Sequence, residues 1–599
     1  MSMHTQCLIL PSLYRDSVVL MQLSQTLEAQ PHIHQAAVMM GTPQNRNLLR
    51  EAGLLTPEGE TSGANDLLIC VQADAPETAA AALQHARALC MQHQVHRDEA
   101  GEAAPRTLAT ALRRMPDANL ACISVPGQYA YRESRRALEQ GLHVFLFSDH
   151  VDLDAEIALK RLAGERGLLV MGPDCGTAMI RGTPLGFANQ WPRGPVGLIA
   201  ASGTGLQQVG CLLAHVGIGI SHAIGVGGRD LHHDLGGLSM RAALQALARD
   251  DDTHVIVLIS KPPDPAVAAI LAREAAESDK PCVLALIGDD QPWPQMPGLY
   301  RATTLEAAAL AAAALARGES PAPRSEPLPT QLLAAAATAR QTLQPNQYLV
   351  HGLYCGGTLA AEALWLLRRA LDRVDSNLDG SHHAVHSAHH VVLDLGAEAF
   401  TSGRPHPMID PAVRRQHLLH LAEQPDVAVV LCDVILGWGA HDAPGAALAA
   451  AWQAMQERLR QFGRQVIGIA TVCGAPDDPQ DYVQQCRVLE AHGWLLATSN
   501  AQAVHLAAHI VGAAHDPAVL SHHAEPSPLP PDASRALPST PALPSQLPSL
   551  LREGPRVINL GLESFAAPLR AGGAPVLHVD WQPPASGNAH LARLLERLQ

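Results

Sequence analysis

Two short glycine turns contain the residues of this chain best suited to binding a charged group. The first, SGTG at 202–205, follows the apolar run VGLIAA, and apolar residues then recur at helical spacing. The second, CGGT at 355–358, lies in the same way between QYLVHGLY and an apolar helical segment. A turn from a strand into a helix directs free backbone N–H groups and the positive end of the helix dipole at one point, which favours an anion. We therefore predict anion binding at these turns, most simply of one shared phosphate if they converge.

Four polar residues of the second half are candidates for the rest of a reaction. Arg404 and His406 lie in SGRPHPMID, Asp433 lies in an apolar strand-like run, and His441 ends GWGAH. An arginine can hold a carboxylate or phosphate with two hydrogen bonds, so we predict that Arg404 and Asp433 bind substrate. Imidazole titrates near neutral pH, so His406 or His441 is the predicted acid or base. The alternative is that RPHP is a rigid loop whose arginine pairs with an acidic neighbour.

A segment at 376–390 contains five histidines, all within 382–390. Such a cluster could bind a divalent metal. Its Ser, Gly and Asp content and its lack of fixed ligand spacing favour a solvated loop instead. We therefore predict no metal site.

Composition excludes two classes of partner. A net charge of −15 and the lack of a Lys/Arg cluster exclude a nucleic-acid backbone as ligand. No run of 18 apolar residues predicts a membrane helix, and the N-terminus lacks the basic and apolar segments of a signal peptide. The eleven cysteines are scattered without a C-x-x-C pair, which predicts reduced thiols. These features predict a soluble cytoplasmic protein.

Strand-like and helix-like segments alternate along nearly all of the 599 residues, which predicts an α/β protein of several domains. Polar and proline-rich joins set the boundaries. The predicted order is a small α+β domain at 1–98, a Rossmann-like domain at 99–192, a flavodoxin-like domain at 194–318, a linker and helix at 319–345, a second flavodoxin-like domain at 346–514, a Pro-rich disordered linker at 515–552 and a small strand–helix–strand unit at 553–599. That last unit cannot bury much surface alone, so we expect it to dock on this chain or on a partner.

The two flavodoxin-like segments share an internal pattern. VVLDLGAEAF matches HAIGVGGRDL, VAVVLCDVILGWG matches HVIVLISKPPDP, and QVIGIATVCG matches PCVLALIGDD, all in the same order. With the two glycine turns this makes four matching elements, so we predict two related, pseudo-symmetric units. In such a pair, two helix N-termini can point at one anion.

Longer stretches resemble known enzymes. GPVGLIAASGTGLQQVG and HVIVLISKPP resemble the α subunit of succinyl-CoA synthetase, and VVLDLGAEAF with VAVVLCDVILGWGAH resembles the ligase domain of its β subunit. With LYRDSVVLMQLS, AAVMMGTPQNRNLL, HGLYCGGTLAAEA and TSGRPHPMIDP, they are similar to the FdrA family of acyl-CoA-synthetase-like proteins over nearly the whole chain. The resemblance implies a subunit of a cytoplasmic assembly found with purine and allantoin catabolism. It also implies association with oxamate carbamoyltransferase, in which oxalurate and phosphate give oxamate and carbamoyl phosphate.

The resemblance also assigns residues. It places the two turns at the N-termini of helices that stabilise a phosphohistidine in succinyl-CoA synthetase. It thereby implies that phosphate contacts Ser202, Gly203, Thr204, Gly205, Gly356, Gly357 and Thr358. The loops that line the CoA pocket correspond to Val125, Pro126, Gly172, Pro173, Asp174 and Cys175. An ordinary Gly-Pro turn, with a cysteine that packs in the core, is the equal alternative.

Three departures from the synthetase pattern change the expected chemistry. No histidine lies in 255–350, where the phosphorylated residue would be, the glycine-rich turn before LACISVP is missing, and no ATP-grasp segment is visible. We therefore predict a subunit that binds phosphate or carbamoyl phosphate for carbamoyl transfer, with CoA only as a further option. The alternatives are an acyl-CoA synthetase subunit that needs an ATP-grasp partner, and a scaffold subunit without catalysis.

Overall fold

The described part of the chain contains four sheets: one small antiparallel sheet and three mostly parallel ones. The computed structural model describes residues 3–11, 13, 17–98, 104–289, 295–321, 327–380, 388–401, 406–512 and 545–584. Arg404 and residues 381–387 of the His-rich segment, with three of its five histidines, lie outside the described residues. Within those residues, no helix has both the length and the apolar content needed to cross a membrane. The predicted α/β class is confirmed.

The N-terminal unit is the antiparallel one. Its elements are β1 (His4–Leu10), α1 (Ser17–Glu28), β2 (Ile33–Met40), α2 (Pro43–Glu51), β3 (Leu67–Ala73) and α3 (Pro76–Asp98). The strand order is β1-β3-β2, and β3 is almost wholly buried because it lies in the centre. The predicted alternation of strands and helices is therefore present here.

One pair of cysteines in this unit corrects the expectation of reduced thiols. Cys7 and Cys70 face each other in the register of β1 and β3 and form a disulfide. They are 63 residues apart. Only the antiparallel pairing of the two strands brings them together, so no short sequence motif could reveal them.

The next segment contains α4 (Leu108–Arg114), β4 (Leu120–Ile123), α5 (Gly127–Glu139), β5 (His143–Leu146), α6 (Leu153–Glu165) and β6 (Val170–Met171). β4, β5 and β6 pair in parallel, and all three are buried. Strands covered by helices on both faces read as continuous apolar runs, which is why the sequence predicted them. Their following loops lie at one edge of the sheet, where ligands bind in such folds.

The second parallel sheet has seven strands. Its elements are β7 (Thr177–Ile180), β8 (Thr183–Gly186), β9 (Arg193–Ala200), α7 (Gly203–His215), β10 (Ile220–Gly225), α8 (Leu238–Ala248), β11 (Val255–Ser260), α9 (Pro265–Ala276), β12 (Cys282–Leu286), β13 (Leu299–Arg301) and α10 (Leu305–Ala316). The order is β13-β12-β11-β9-β10-β7-β8. The predicted boundary at 192 is therefore corrected: the β7–β8 hairpin pairs with the edge of β10 and belongs to this sheet.

The third parallel sheet has six strands. Its elements are α11 (Thr330–Arg340), β14 (Leu349–Tyr354), α12 (Gly357–Ala370), β15 (Val374–Ser376), β16 (His390–Asp394), α13 (Glu398–Thr401), α14 (Ala412–Leu421), β17 (Val427–Ile435), α15 (Pro444–Gln461), β18 (Ile467–Cys473), α16 (Tyr482–Ala491), β19 (Leu495–Ala497) and α17 (Asn500–Val511). The order is β15-β16-β14-β17-β18-β19. β17, near its centre, is buried throughout.

The second and third parallel sheets share one strand topology. Five strands run β13-β12-β11-β9-β10 in one and β19-β18-β17-β14-β16 in the other. The corresponding helices α7 and α12 contact each other, as do α10 and α17. Buried polar contacts join the halves: Glu362 on α12 accepts the Leu305 N–H of α10 at 2.7 Å, and Gln502 on α17 donates to Glu306 at 2.6 Å. The predicted pseudo-symmetric pair is present.

The C-terminal segment completes the first parallel sheet. It contains α18 (Leu547–Glu553), β20 (Val557–Leu560), α19 (Ala566–Ala571) and β21 (Val576–Val579). β20 pairs with β4, so that sheet runs β21-β20-β4-β5-β6. The C-terminal unit therefore docks on this chain, which was one of the two predicted possibilities.

The end of the predicted disordered linker is also corrected. The described part of 515–552 begins at 545, and α18 starts within it. Leu547, Leu550 and Leu551 recur at helical spacing and are buried in the core shared by the first and second parallel sheets. Burial of this apolar stripe outweighs the high proline content of the segment.

Candidate anion site at two helix N-termini

The N-termini of α7 and α12 meet head to head. Ser202 caps α7, with its Oγ accepting the Gly205 N–H at 2.9 Å, and the same hydroxyl is hydrogen-bonded to Thr358 Oγ1 in the first turn of α12. The Thr358 N–H lies 3.4 Å from Thr204 Oγ1, to which it donates. The two turns singled out in the sequence are therefore neighbours across the two halves.

A glycine permits this close approach. A Cβ on Gly356 would lie 3.1 Å from Thr204 Cβ and 3.0 Å from Asp433 Oδ2. Such contacts are tighter than side chains normally make, so a larger residue would push the helix ends apart. The glycines here serve first to bring two helix ends together.

Three N–H groups at this junction are available to a ligand. In the part of the chain that the structure describes, the N–H groups of Gly203, Thr204 and Gly357 have no hydrogen-bond partner, and all three residues are partly exposed. First-turn N–H groups have no acceptor within their own helix and carry the positive end of its dipole. Of the seven residues predicted to contact phosphate, these three have a backbone N–H group that is free to do so.

The remaining donors of the second turn are occupied by Asp433. Its carboxylate accepts the Cys355 N–H at 2.8 Å and the Gly356 N–H at 2.7 Å, and it pairs with Arg414 at 2.8 Å. Asp433 is completely buried. Because both oxygens are bonded within the chain, we reassign Asp433 from substrate binding to holding this turn.

Lys261 brings a cation to the same place. It follows β11 directly, and its Nζ lies 3.2 Å from the position that a Cβ on Gly357 would take. Lys261 is half-buried and makes no hydrogen bond or ion pair with any described residue. The chain has only three lysines: Lys160 is buried in ion pairs, and Lys280 donates to backbone carbonyls. An unpaired ammonium beside two helix N-termini makes this point strongly attractive to anions.

Asp394, the last residue of β16, faces the same point. Its Oδ2 lies 2.7 Å from the position of a Cβ on Gly357, whereas its Oδ1 accepts the Gly396 N–H at 2.9 Å. Asp394 is 6% exposed. Burial raises the pKa of its carboxyl to about 6, and the charge of Lys261 opposes this shift. The group therefore changes protonation close to neutral pH.

The loops after β4, β5 and β6 pack on one another. Ser148 Oγ donates to the Val125 carbonyl at 2.6 Å, and the Asp174 N–H donates to the Ser148 carbonyl at 3.1 Å. The structure thereby brings together all six residues predicted from the CoA pocket: Val125, Pro126, Gly172, Pro173, Asp174 and Cys175.

Within these loops, Asp174 and Cys175 point to different surroundings. Asp174 is exposed to solvent, but the surrounding protein and the Asp149 carboxylate raise its pKa to about 6, while Lys261 lowers it. Cys175 is buried in the core, and burial raises the pKa of its thiol to about 12. Asp174 is therefore available to a ligand near Lys261, and Cys175 packs.

Two of the helix N-termini at this sheet are partly closed to a phosphate of CoA. A phosphate at this sheet would need free N–H groups at a helix N-terminus. At α4, Thr107 and Thr110 cap the helix reciprocally. At α5, a Cβ on Gly127 would lie 2.2 Å from the Asp149 carbonyl, so backbone covers the first turn. The starts of α4 and α5 are thus partly occupied, whereas α6 begins after Asp152 without a side-chain cap.

The two predicted catalytic histidines have surroundings that differ from those of Lys261. His406 Nδ1 accepts the Met408 N–H at 3.2 Å, and burial lowers the pKa of the ring to about 4. His441 Nδ1 accepts the Ala443 N–H at 3.0 Å. The ring of His441 lines a cavity of about 30 Å³, room for one water, which Lys261 does not line. The geometry therefore favours neither histidine as the group that meets the anion.

Sequence analysis missed Lys261 and Asp394, although signals for both exist. Each ends or directly follows a strand in the matched segments HVIVLISKPPDP and VVLDLGAEAF. The carboxyl ends of such strands are where side chains meet ligands. The rarity of lysine in the chain is a further signal for Lys261.

Two family models match parts of the chain. Residues 3–106 match the model described as AllF, heavy metal-associated domain, and residues 353–521 match the CoA-ligase model. Among the side chains that the structure describes, no group of three or more His, Cys, Asp or Glu is arranged to hold a metal.

Individual proteins are also similar. The uncharacterized protein YahF of Escherichia coli K12 is 37% identical over 503 residues, which span 83% of this chain and 97% of that protein. The succinate–CoA ligase (ADP-forming) subunit alpha 2 of Archaeoglobus fulgidus is 28% identical over 170 residues, 27% of this chain and 58% of that subunit. Among solved structures, an acetyl-coenzyme A synthetase of Candidatus Korarchaeum cryptofilum aligns with 67% of this chain and 84% of its own, at 14% identity and a TM-score of 0.26.

Proposed function

The chain belongs to the FdrA family, with a CoA-ligase domain of the succinyl-CoA-synthetase type, and from this premise we propose that it is the phosphate-binding subunit of a carbamoyltransferase. The proposed reaction converts oxalurate and phosphate to oxamate and carbamoyl phosphate. The anion would lie between α7 and α12, on the N–H groups of Gly203, Thr204 and Gly357 and beside Lys261. Such a subunit would act in the cytoplasm together with further protein subunits.

The unpaired charge of Lys261 is the observation that carries this proposal. The Lys261 ammonium lies beside the first turn of α12, which contacts the first turn of α7, and no described carboxylate forms an ion pair with it. The positive ends of the helix dipoles repel the ammonium group and destabilise it. A bound anion would offset this repulsion and be attracted to both. Phosphate, a carbamoyl phosphate or the charged centre of a transfer reaction would each supply that anion.

Carbamoyl transfer to phosphate also fits the residues that the chain lacks. The reaction needs stabilisation of negative charge and movement of a proton, and it needs no protein nucleophile. A phosphohistidine route would require a histidine in 255–350, and this segment has none. The acyl-CoA synthetase alternative is less well supported, because the starts of α4 and α5 are partly closed.

The test is an activity assay of the chain with the subunits that co-purify with it. We expect carbamoyl phosphate and oxamate to form from oxalurate only when phosphate is present. A complex with Lys261→Met should lose most of this activity, whereas Lys280→Met should keep it. Turnover that depends on CoA and a nucleoside triphosphate would instead support the synthetase alternative. A complex that is active without this chain would support the scaffold alternative.

A further inference from the structure

We propose that Asp394 exchanges a proton with the bound phosphate, the role that the sequence suggested for a histidine. The inference rests on the proposed anion site. Asp394 Oδ2 has no hydrogen-bond partner in the described part of the chain, and Asp394 is more than nine-tenths buried. The atom is directed at the first turn of α12, 2.7 Å from the Cβ position of Gly357. The carboxylate can therefore meet a ligand that binds at the first turn of α12, beside Lys261.

Three titratable or charged groups face Asp394, and one of them has an unpaired charge. Asp433 is neutralised by Arg414. His406 Nε2 and Asp394 Oδ1 lie 2.6 Å and 3.2 Å from the Cβ position of Gly396, and burial lowers the pKa of His406, so its ring stays uncharged. Among the described residues that face Asp394, Lys261 is therefore the one with an uncompensated charge. An anion that binds to Lys261 would remove this compensation, so Asp394 should take up a proton when the anion binds.

The proposed step is balanced in atoms and protons. An oxygen of hydrogen phosphate forms a bond to the carbamoyl carbon of an N-carbamoyl amide, and the bond from that carbon to the amide nitrogen breaks. Hydrogen phosphate gives up one proton, and the departing nitrogen needs one proton to leave as a neutral amide. Asp394 accepts the first as a carboxylate and supplies the second as a carboxylic acid, so no further reactant is required.

Asp174 is the matched carboxyl group for comparison. Its pKa is also raised to about 6, and it also lies within electrostatic range of Lys261. It differs because it is exposed to solvent on a loop after β6 rather than buried at the start of α12. Water can therefore compensate the Asp174 charge when an anion binds, whereas Asp394, at 6% exposure, depends mainly on Lys261 and on the Gly396 N–H.

Sulfate binding to the full chain tests this inference without any turnover. Sulfate has the shape and charge of phosphate but does not itself titrate near neutral pH. Titration calorimetry in two buffers with different ionisation enthalpies counts the protons taken up per sulfate. We expect about half a proton or more near pH 7 in the wild type, and an affinity that rises as pH falls. Asp394→Asn should bind sulfate without proton uptake, and Asp174→Asn should keep the wild-type uptake.

The outcomes separate the two proposals. If the wild type binds neither sulfate nor phosphate, the proposed anion site fails and this inference fails with it. If sulfate binds without proton uptake, only the assignment to Asp394 is overturned. Uptake that survives in Asp394→Asn, or that disappears in Asp174→Asn, overturns it as well. Should Asp394→Asn not fold, the wild-type proton count alone decides.

Discussion

Ser202 of one half of the chain shares a hydrogen bond with Thr358 of the other, through the side-chain oxygens of two helix starts. The first turns of α7 and α12 are therefore coupled directly, although 156 residues separate the two positions. Neither half contains the site alone. Gly203 and Thr204 belong to the half built on the second parallel sheet, and Gly357 and Asp394 belong to the half built on the third.

Gly357→Ala should weaken sulfate binding by about tenfold or more, because its methyl group would meet Asp394 Oδ2 at 2.7 Å and Lys261 Nζ at 3.2 Å. Gly203→Ala is the matched control. Its nearest contact would be Thr177 Oγ1 at 3.5 Å, which is ordinary packing, so we expect less than about a threefold change. Titration calorimetry measures both. Equal losses in the two variants would show that Lys261 and Asp394 do not shape the site.

Asp433→Ala should cost about 3–5 kcal/mol of unfolding free energy, because it leaves Arg414 buried without its partner and frees two N–H groups. The exposed pair of Arg193 and Asp252 gives the control. Asp252→Ala should cost less than about 1 kcal/mol. Urea denaturation followed by circular dichroism measures both. A small loss in Asp433→Ala would mean that this ion pair does not hold the turn.

Glu362→Gln should make stability less dependent on pH. Burial, with a contribution from Glu306, raises the pKa of Glu362 to about 7 from its ordinary 4.5, against the hydrogen bonds from Leu305 and Asn500. The folded state thus binds more protons than the unfolded state between these values, so the wild type loses stability as pH rises through them. The unfolding free energy of the variant relative to wild type should increase by up to about 3 kcal/mol between pH 4.5 and 8.

Denaturant titrations at several pH values measure this difference. Glu457→Gln, at an exposed position on α15, is the control and should follow the wild type at every pH. A relative stability of Glu362→Gln that stays constant with pH would contradict the raised pKa.

Removal of 545–599 should unfold the first parallel sheet and leave the other two parallel sheets folded. The truncation takes β20 from its place beside β4 and removes Ile558 and Leu560 from the core. Hydrogen exchange should show lost protection in β4 and β5 and retained protection in β14 and β17. A chain that ends at 584 keeps both strands and serves as the control. Unchanged protection of β4 in the longer truncation would contradict this account.

The sequence predicts most strands here because helices cover both faces of three sheets, and such strands are continuous apolar runs. It also predicts the repeated topology, since matching runs recur in the same order. Which strands pair across distant segments of the chain cannot be recognised from a local sequence pattern. Three features depend on which strands lie side by side in the fold: the pairing of β7 with β10, the pairing of β20 with β4, and the Cys7–Cys70 disulfide.

In the candidate site, too, local features can be predicted from the sequence and contacts between distant residues cannot. The glycine turns can be recognised because a local sequence makes each one. The roles of their neighbours depend on three-dimensional contacts. Asp433 accepts hydrogen bonds from the turn at Cys355. Lys261 and Asp394 both lie beside Gly357, although no sequence motif connects them. His406 has a suitable side chain, but burial and the charge of Arg414 lower the pKa of its ring to about 4.

Phosphate binding by the Lys261→Met chain tests the central claim most directly. Titration calorimetry of the isolated full chain gives the dissociation constant for wild type, Lys261→Met and Lys280→Met under identical salt. We expect the wild type to bind phosphate, Lys261→Met to weaken binding by about tenfold or more, and Lys280→Met to change it by less than about twofold. No phosphate binding by the wild type, or equal affinity in Lys261→Met, would contradict the claim that the anion lies between α7 and α12.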